Sequence, residues 1–367
     1  MGSSTFAKIE EIKVSVFEIP TESPESDGTL EWNHTTLVVV EARAANTHGV
    51  GYTYADEATA LLVKKLLAEI VRGRDALDVQ GNWCAMVHAI RNLGRPGIVS
   101  MAIAAVDNAL WDLKARLLQL PLAKLLGMVR DSVPIYGSGG FTSYSESQLQ
   151  RQLSHWAECG IEMVKMKVGR DPQNDIERVR RAREAIGKHT HLFVDANGAY
   201  SRKQALQLAE EFHKYGVSWF EEPVSSDDLE GLRLIRDRAP AGMDIAAGEY
   251  GYDSRYFRRM LEAGAVDVLQ ADATRCAGIT GFLTAAALCE AQCMPLSAHT
   301  APGVHTHVCC AASAVRHLEY FYDHVRIERE VFEGSPQPKN GRLYPDLTRP
   351  GNGLQLRRRD AQKYQAA

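Results

Sequence analysis

The chain has 367 residues, of which 45% are hydrophobic and 24% are charged, a composition typical of a folded globular protein of about two domains. The formal net charge of −4 excludes a broadly basic surface, so we expect neither nucleic acid nor an anionic membrane as a partner. No apolar run reaches the roughly 18 residues of a membrane-spanning helix, and the first residues lack the apolar stretch of a signal peptide. The seven irregularly spaced cysteines predict free thiols in the cytoplasm, not disulfides or a zinc site.

The first third of the sequence predicts an α+β domain. Two strands are predicted, over residues 8–19 and 35–43, and the polar stretch 21–33 between them predicts a loop. Helical periodicity follows over 57–72, and after a Pro-Gly pair a long helix is predicted that ends before Pro121. Strands followed by helices indicate an α+β arrangement, here over residues 1–130.

From residue 131 onward, short apolar runs alternate with helical stretches. Eight such runs begin near residues 133, 162, 191, 217, 244, 266, 295 and 317. This alternation predicts parallel strands and an α/β fold. Eight repeats predict a (β/α)8 or TIM-type barrel over 131–322, in which the last repeat can be modified. An open doubly wound sheet is the alternative, and the lack of a G-x-G-x-x-G turn after its first strand disfavours it. Residues 323–367 lose the alternation and predict a tail that packs elsewhere.

Three carboxylates end consecutive apolar runs. Asp195, Glu221 and Glu249 would meet at one face of a parallel barrel, where unpaired carboxylates raise one another's pKa. A hard divalent cation removes that cost, and oxygen ligands suit Mg²⁺. The alternative is that each is an ordinary surface acid. Glu222 and Asn197 are predicted to support this site or contact substrate, although Asn197 is equally expected to cap a loop.

Two lysines and a histidine occupy similar positions. Lys165 and Lys167 stand two apart in a predicted strand, so both point to one side, and each ammonium lowers the pKa of the other until one can act as a base. Surface lysines on an edge strand are the alternative. His299 and Asp272 end neighbouring runs, which predicts a hydrogen-bonded pair in which the acid makes the imidazole more basic. Arg275 is predicted to brace this pair.

These residues resemble the enolase superfamily, and within it the mandelate racemase group. The resemblance extends over nearly the whole chain and is carried by the segments 109–122, 164–169, 194–200, 220–223, 246–249 and 297–299. It implies a capping domain that is completed by the 323–367 segment and closes over the barrel. It also implies one Mg²⁺ held by Asp195, Glu221 and Glu249, and a homo-oligomer.

The resemblance further implies roles in proton transfer. Lys167 and His299 would be bases on opposite faces of the substrate, with Asp272 holding His299 and Lys165 near the substrate carboxylate. Glu319 would hydrogen-bond the developing enediolate. Enolase-superfamily sites use a Lys or His base with Mg²⁺. The implied half-reaction is removal of the proton α to the carboxylate of a small-molecule substrate.

The fate of the enediolate is open at this point. Dehydration of a sugar acid is the first prediction, because such dehydratases are common in the group; racemisation or epimerisation and cycloisomerisation are the alternatives. A non-catalytic binding protein is the remote alternative, since fold does not fix function. Trp32 and Tyr54 in the capping segments are predicted to cover a polyhydroxy substrate, or else only to close the lid. Ser138, in a glycine-rich strand end, is also predicted to contact substrate.

Overall fold

The N-terminal part of the protein is an antiparallel sheet covered by helices. The structure is a computed structural model that describes residues 6–366. The sheet order is β1-β2-β3, formed by β1 (Glu11–Ser26), β2 (Glu31–Ala44) and β3 (Thr47–Tyr54). The helices are α1 (Glu57–Leu62), a π-helical turn (Val63–Leu67), α2 (Ala68–Val71), α3 (Val79–Ala89), α4 (Ile98–Leu117) and α5 (Leu122–Leu126). This sheet with its helices confirms the predicted α+β arrangement.

The predicted loop over 21–33 is wrong for most of its length. β1 continues to Ser26 and β2 begins at Glu31, so only the four residues between them turn. After an irregularity in the pairing, Glu25 pairs with Trp32, whose indole N–H donates to the Glu25 carboxyl at 3.1 Å. Cross-strand contacts thus outweigh the low strand preference of this polar sequence. Strand β3 and helix α3 were not predicted.

Glycines in β3 let the long helix α4 lie directly on the sheet. A Cβ at Gly49 would stand 2.3 Å from the carbonyl oxygen of Ala109, and one at Gly51 would stand 2.3 Å from its nitrogen. Any side chain there would push helix and sheet apart, because real Cβ atoms do not approach so closely. The apolar face of α4 is buried in this contact and joins the core of the capping domain.

The second part of the chain is a closed barrel of eight parallel strands. The strands are β4 (Val133–Gly139), β5 (Met163–Lys167), β6 (His191–Asp195), β7 (Val217–Glu221), β8 (Asp244–Ala247), β9 (Val268–Ala271), β10 (Leu296–Ala298) and β11 (Val315–Phe321). The helices that follow them are α6 (Glu146–Glu158), α7 (Asp175–Ile186), α8 (Arg202–His213), α9 (Leu229–Arg238), α10 (Ser254–Glu262), α11 (Gly278–Ala291), α12 (Pro302–Cys309) and α13 (Tyr322–Val331). β11 pairs with β4 and closes the barrel, which confirms the predicted fold over the open sheet.

Large side chains fill the barrel interior below the carboxyl ends of the strands. Tyr136, Phe193, Trp219 and Val268 form a buried cluster, and the rings of Phe193 and Trp219 stack at 5.2 Å. The ammonium of Lys165 lies 5.4 Å above the centroid of the Tyr136 ring. The barrel is therefore a packed core, and polar side chains collect at its upper end.

The end of the chain returns to the N-terminal sheet. After α13 come β12 (Phe332–Glu333), β13 (Arg342–Leu343), β14 (Gln355–Leu356), α14 (Arg358–Ala361) and a 3₁₀ turn (Gln362–Tyr364). Arg358 pairs with Glu41 of β2 at 2.6 Å, and the N–H of Ala366 donates to the carbonyl of Val16 at 3.0 Å. Within residues 6–366, none of the helices is long and apolar enough to cross a membrane. The domain boundaries at 130 and 322 stay predictions.

Glu328 on α13 links the barrel to the capping sheet and should make stability depend on pH. Burial raises the pKa of its carboxyl from 4.5 to about 8, although the Tyr52 hydroxyl and the Gly303 N–H donate to it. Between these values the folded protein keeps a proton that the unfolded chain has lost. This contribution to the free energy of unfolding is therefore complete below about pH 4.5 and lost, by about 1.4 kcal/mol per pH unit, as the pH rises to about 8.

Urea denaturation of the wild type and of Glu328→Gln across this pH range measures the effect. The glutamine cannot ionise, so the variant should lose less stability with rising pH than the wild type. Equal slopes for the two proteins would contradict the assignment.

Candidate active site

Three carboxylates converge at the upper end of the barrel. Asp195 and Glu221 are the last residues of β6 and β7, and Glu249 follows β8 by two residues. One oxygen of each lies within 4.8 Å of the others, and all three side chains are buried. Burial and the Asp195 carboxylate raise the pKa of Glu221, and within the described chain the Oε2 atom of Glu249 has no hydrogen-bond partner. This crowded set of oxygen donors fits Mg²⁺, which would offset their repulsion.

Lys165 lies at the centre of the carboxylates. Its ammonium donates to Glu221 at 2.5 Å and lies 2.9 Å from Glu319 and 3.2 Å from Asp195. Burial alone would lower the pKa of Lys165, but these carboxylates outweigh burial and raise it above its ordinary value. Lys165 is therefore a fixed positive charge in this arrangement.

Lys167 faces the cavity from the same side of β5. It donates to Asp195 Oδ2 at 2.5 Å and to Asn197 Oδ1 at 3.1 Å. Burial lowers the pKa of Lys167 and Asp195 raises it, and the net shift is upward. Lys165 lowers the pKa of Lys167, as predicted, but the carboxylates, Asp195 first among them, outweigh this effect.

His299 and Asp272 form a hydrogen-bonded pair. The distance between His299 Nδ1 and Asp272 Oδ2 is 2.9 Å, and although burial raises the pKa of Asp272, the hydrogen bond to His299 lowers it below its ordinary range. The other ring nitrogen, Nε2, lies 3.4 Å from Glu249 and 3.6 Å from Glu319. In the closed sheet, β10 is separated from β5 by two strands one way and four the other. His299 and Lys167 thus enter the cavity from different parts of the barrel wall.

Glu319 and Ser138 occupy the floor beneath His299. The Ser138 hydroxyl is fully buried and donates to Glu319 Oε1 at 2.5 Å, and Ser138 is not among the residues that line the cavity described below; its contact with substrate stays a prediction. Burial raises the pKa of Glu319, but Lys165 and His299 outweigh it and lower the pKa to about 2. Glu319 is therefore a carboxylate in this arrangement, whereas the family resemblance implies a hydrogen-bond donor.

Arg275 and Glu222 lie beside the carboxylates. The Arg275 guanidinium is 3.3 Å from Glu249 and 3.8 Å from Asp272, so it contacts both halves of the site. Glu222 is buried with φ at 38°, a strained value for a non-glycine residue. Burial and the nearby Glu249 raise the pKa of Glu222 well above its ordinary value.

The capping domain closes the site from above and leaves a cavity of about 270 Å³. We use the term lid surface for the capping-domain residues that line this cavity: Asp27, Leu30, Trp32, His34, Thr35, Thr36, Tyr54 and Ala55. From the barrel, the lining residues are Lys167, Asn197, Glu249, Tyr250, Arg275, His299, Thr300, Glu319, Phe321 and His324. A larger cavity of about 850 Å³ between α3 and α10 is lined by none of these residues, so volume alone does not locate the site.

Two lining histidines were not predicted. His324 lies in the first turn of α13, and its ring stacks on that of Tyr54 on the lid surface at 3.5 Å. His34 lies on β2, between the predicted loop (21–33) and the predicted strand (35–43). Neither stands at the end of an apolar run, so the pattern that indicated the other residues could not indicate them.

The lid loop fits tightly on the strand ends, and Gly28 makes this contact possible. A Cβ at Gly28 would lie 2.5 Å from the Ala196 carbonyl and 2.8 Å from the Val168 carbonyl. We expect Gly28→Ala to raise KM by about tenfold or more, because the lid cannot close fully over substrate. The thermal midpoint should change little, since the loop can lift without unfolding the sheet. Steady-state kinetics test this, with Thr29→Ala at the exposed neighbour as the control; an unchanged KM would contradict it.

A closed (β/α)8 barrel with buried carboxylates, a lysine pair and a His–Asp pair beneath a capping domain defines a metal-dependent barrel enzyme of the enolase type. The family model for the mandelate racemase/muconate lactonizing enzyme N-terminal domain matches residues 11–127, and the enolase C-terminal domain-like model matches residues 148–361. The chain belongs to the mandelate racemase/muconate lactonizing enzyme family of the enolase superfamily.

Two characterised relatives are similar over almost their whole length. L-talarate/galactarate dehydratase of Salmonella typhimurium is 32% identical over 355 residues, which cover 94% of this chain and 88% of that protein. The 3,6-anhydro-α-L-galactonate cycloisomerase of Streptomyces coelicolor is 32% identical over 358 residues, which cover 95% of this chain and 97% of the relative.

Solved structures share the fold, and some of them contain magnesium. A mandelate racemase/muconate lactonizing enzyme-like protein of Rubrobacter xylanophilus superposes with a TM-score of 0.96 at 54% identity, covering 98% of this chain and all of the other. A variant of L-talarate/galactarate dehydratase with bound Mg and L-glucarate superposes with a TM-score of 0.90 at 30% identity, covering 99% and 93%. The cofactor is Mg²⁺, as predicted.

Proposed function

We propose that this protein is a Mg²⁺-dependent dehydratase of sugar acids. The observation that carries the proposal is the placement of Lys167 and His299 on different parts of the barrel wall, above three buried carboxylates and beneath a polar lid. Dehydration needs one group that removes the α-proton and another that protonates the leaving hydroxyl. The two side chains offer both groups within one cavity of about 270 Å³.

The metal would be held by Asp195, Glu221 and Glu249. When bound, Mg²⁺ supplies positive charge at the substrate carboxylate, where negative charge grows as the α-proton leaves. Lys165 adds its fixed ammonium on the same side. Stabilisation of this kind acts mainly on the transition state, because the second negative charge appears only there.

Proton transfer is assigned to Lys167 and His299. One of the two removes the α-proton, and the electron pair forms the enediolate. The other donates its proton to the β-hydroxyl, which leaves as water, and the enol becomes a 2-keto-3-deoxy acid. Asp272 stabilises the imidazolium form of His299, as a carboxylate paired with a catalytic histidine does. Ser138 and Arg275 position Glu319 and Glu249.

A second candidate reaction is cycloisomerisation, which the similarity to the Streptomyces coelicolor cycloisomerase favours. It uses the same α-proton abstraction, but an intramolecular group leaves or adds in place of water. The substrates in the names of the two relatives also differ in their number of carboxylates, since galactarate carries two and anhydrogalactonate carries one.

A screen of sugar acids with Mg²⁺ tests the proposal. Formation of a 2-keto-3-deoxy acid that stops when the metal is chelated supports the dehydratase. Exchange of the α-proton with solvent deuterium without loss of water points instead to a racemase or epimerase, and an isomer of the substrate points to a cycloisomerase. If no acid in a broad panel exchanges its α-proton, the chain is a binding protein on this fold and the proposal is wrong.

We also infer that copies of the chain associate and that the protein acts in the cytoplasm. Leu93 and Ile98, on the outer side of the capping domain, are 56% and 42% exposed and offer apolar surface for association. Light scattering on the purified protein tests the first point, and cell fractionation tests the second.

A further inference from the structure

The charges that line the cavity are unevenly distributed. Among the residues that the structure describes, the lid surface includes neither lysine nor arginine, and its one carboxylate belongs to Asp27. Asp27 is 8% exposed, and its Oδ1 atom accepts hydrogen bonds from the N–H groups of Thr29 and Leu30 at 2.6 and 2.7 Å. The lid therefore presents hydroxyl, imidazole and aromatic groups together with a negative charge.

The cationic side chains of the cavity lie on its floor and are already paired. Lys167 is 2.5 Å from Asp195, and Arg275 is 3.3 Å from Glu249. Both come from the barrel, at the end where the substrate carboxylate would meet the metal. Within residues 6–366, the part of the cavity beneath the lid thus offers no unpaired ammonium or guanidinium group.

The histidine beside the lid suits a neutral partner. His324 is buried against Tyr54, and in the described chain its Nδ1 atom has no hydrogen-bond partner. Burial lowers the pKa of His324 well below its ordinary value, and the charge of the nearby His299 adds to this effect. A neutral imidazole can exchange one hydrogen bond with a hydroxyl group, but it does not neutralise a carboxylate.

We propose that the substrate is a monocarboxylic sugar acid, an aldonate, whose hydroxylated end lies under the lid, and that the corresponding dicarboxylic acid, an aldarate, is rejected. The proposal rests on the proposed function and specifies its substrate class. A second carboxylate under the lid would lose its water, find neither an ammonium nor a guanidinium group there and lie near Asp27. Burying an unpaired charge beside a like charge is strongly unfavourable. A terminal CH₂OH group meets none of these costs.

Matched pairs of acids test the proposal, because they differ only at C6. D-gluconate with D-glucarate and D-galactonate with galactarate are two such pairs. In the pair that the enzyme dehydrates, we expect kcat/KM to be at least about 100-fold higher for the aldonate. An aldarate that reacts as well as its aldonate would overturn the proposal. In that case, if Arg275→Gln removed the activity on the aldarate alone, Arg275 would be the cation that binds the second carboxylate, although it is paired with Glu249 in this structure.

Binding measurements separate this proposal from the proposed function. Calorimetry with Lys167→Ala and Mg²⁺ reports the affinity for both members of each pair, whether or not dehydration is the reaction. Tighter binding of aldonates supports the substrate class even if no dehydration is found. Tighter binding of aldarates overturns it even if the enzyme is a dehydratase.

Asp27→Asn tests the role of the lid carboxylate. The asparagine keeps the Oδ1 atom that accepts from Thr29 and Leu30, so the loop should keep its shape. We expect the preference for aldonate over aldarate to shrink by about tenfold, because one like charge is removed. Asp237→Asn on the exposed side of α9 makes the same charge change outside the cavity and should leave the preference as it is. An unchanged preference in Asp27→Asn would remove Asp27 from the proposal.

Discussion

Replacing Lys167 with alanine is expected to lower kcat by at least about 10³-fold, because a positioned acid or base contributes up to about 10⁴-fold. The affinity for Mg²⁺ should change far less, because Lys167 is not a metal ligand. Its contact with the ligand set is the hydrogen bond to Asp195 Oδ2 at 2.5 Å. Steady-state kinetics and calorimetry measure the two quantities. Lys203→Ala, at an exposed position on α8, is the matched control and should keep wild-type values.

Deuterium exchange then shows which group is the base. If Lys167 removes the α-proton, Lys167→Ala should no longer exchange it, while His299→Asn still exchanges it without losing water. The opposite result would give His299 the role of the base. A Lys167→Ala variant with nearly wild-type turnover on the true substrate would refute any role of Lys167 in proton transfer.

Replacing Glu221 with glutamine is expected to weaken Mg²⁺ binding by at least about 100-fold. Loss of a group that merely orients a ligand costs 10- to 100-fold, and here the ligand itself loses its charge. Glutamine keeps the shape, and its one carbonyl oxygen can still accept from either the Trp219 indole N–H or the Lys165 ammonium, both of which donate to Glu221. The variant should therefore fold, and thermal unfolding checks this.

Calorimetric titration with MgCl₂ measures the change in affinity. Glu230→Gln is the matched control, because its side chain is 91% exposed on α9. Unchanged Mg²⁺ affinity in Glu221→Gln would remove this residue from the ligand set and leave Asp195 and Glu249 as its remaining members.

The barrel could be predicted from the sequence because apolar strands and helices alternate regularly along the chain. Each strand is a short apolar run that is buried on both faces, and each ends where the chain reaches the upper surface. Asp195, Glu221 and His299 stand at or next to such ends, so their convergence follows from parallel pairing alone. The spacing of these residues along the chain was therefore enough to predict that they lie together in the folded protein.

The remaining features depend on contacts between distant segments. The hydroxyl of Ser138, whose substrate contact stays a prediction, donates a hydrogen bond to Glu319, 181 residues later. The protonation of Lys167 depends on its distance from Asp195, which no sequence pattern specifies. His324 reaches the cavity only because α13 packs on the lid. Long-range packing of this kind leaves no local signal in the sequence.

The contact between Ala366 and Val16 has a consequence for synthesis in the cell. The ribosome makes the sheet that covers the active site before the barrel, but it makes the residues that complete this sheet, including Arg358 and Ala366, only after the barrel. Domains generally fold as they emerge, N-terminal parts first. Here the barrel can close while its cover is still incomplete. The capping sheet therefore gains these contacts only after the barrel is complete, and a chain that stops before Arg358 would have a formed metal site beneath a sheet that lacks them.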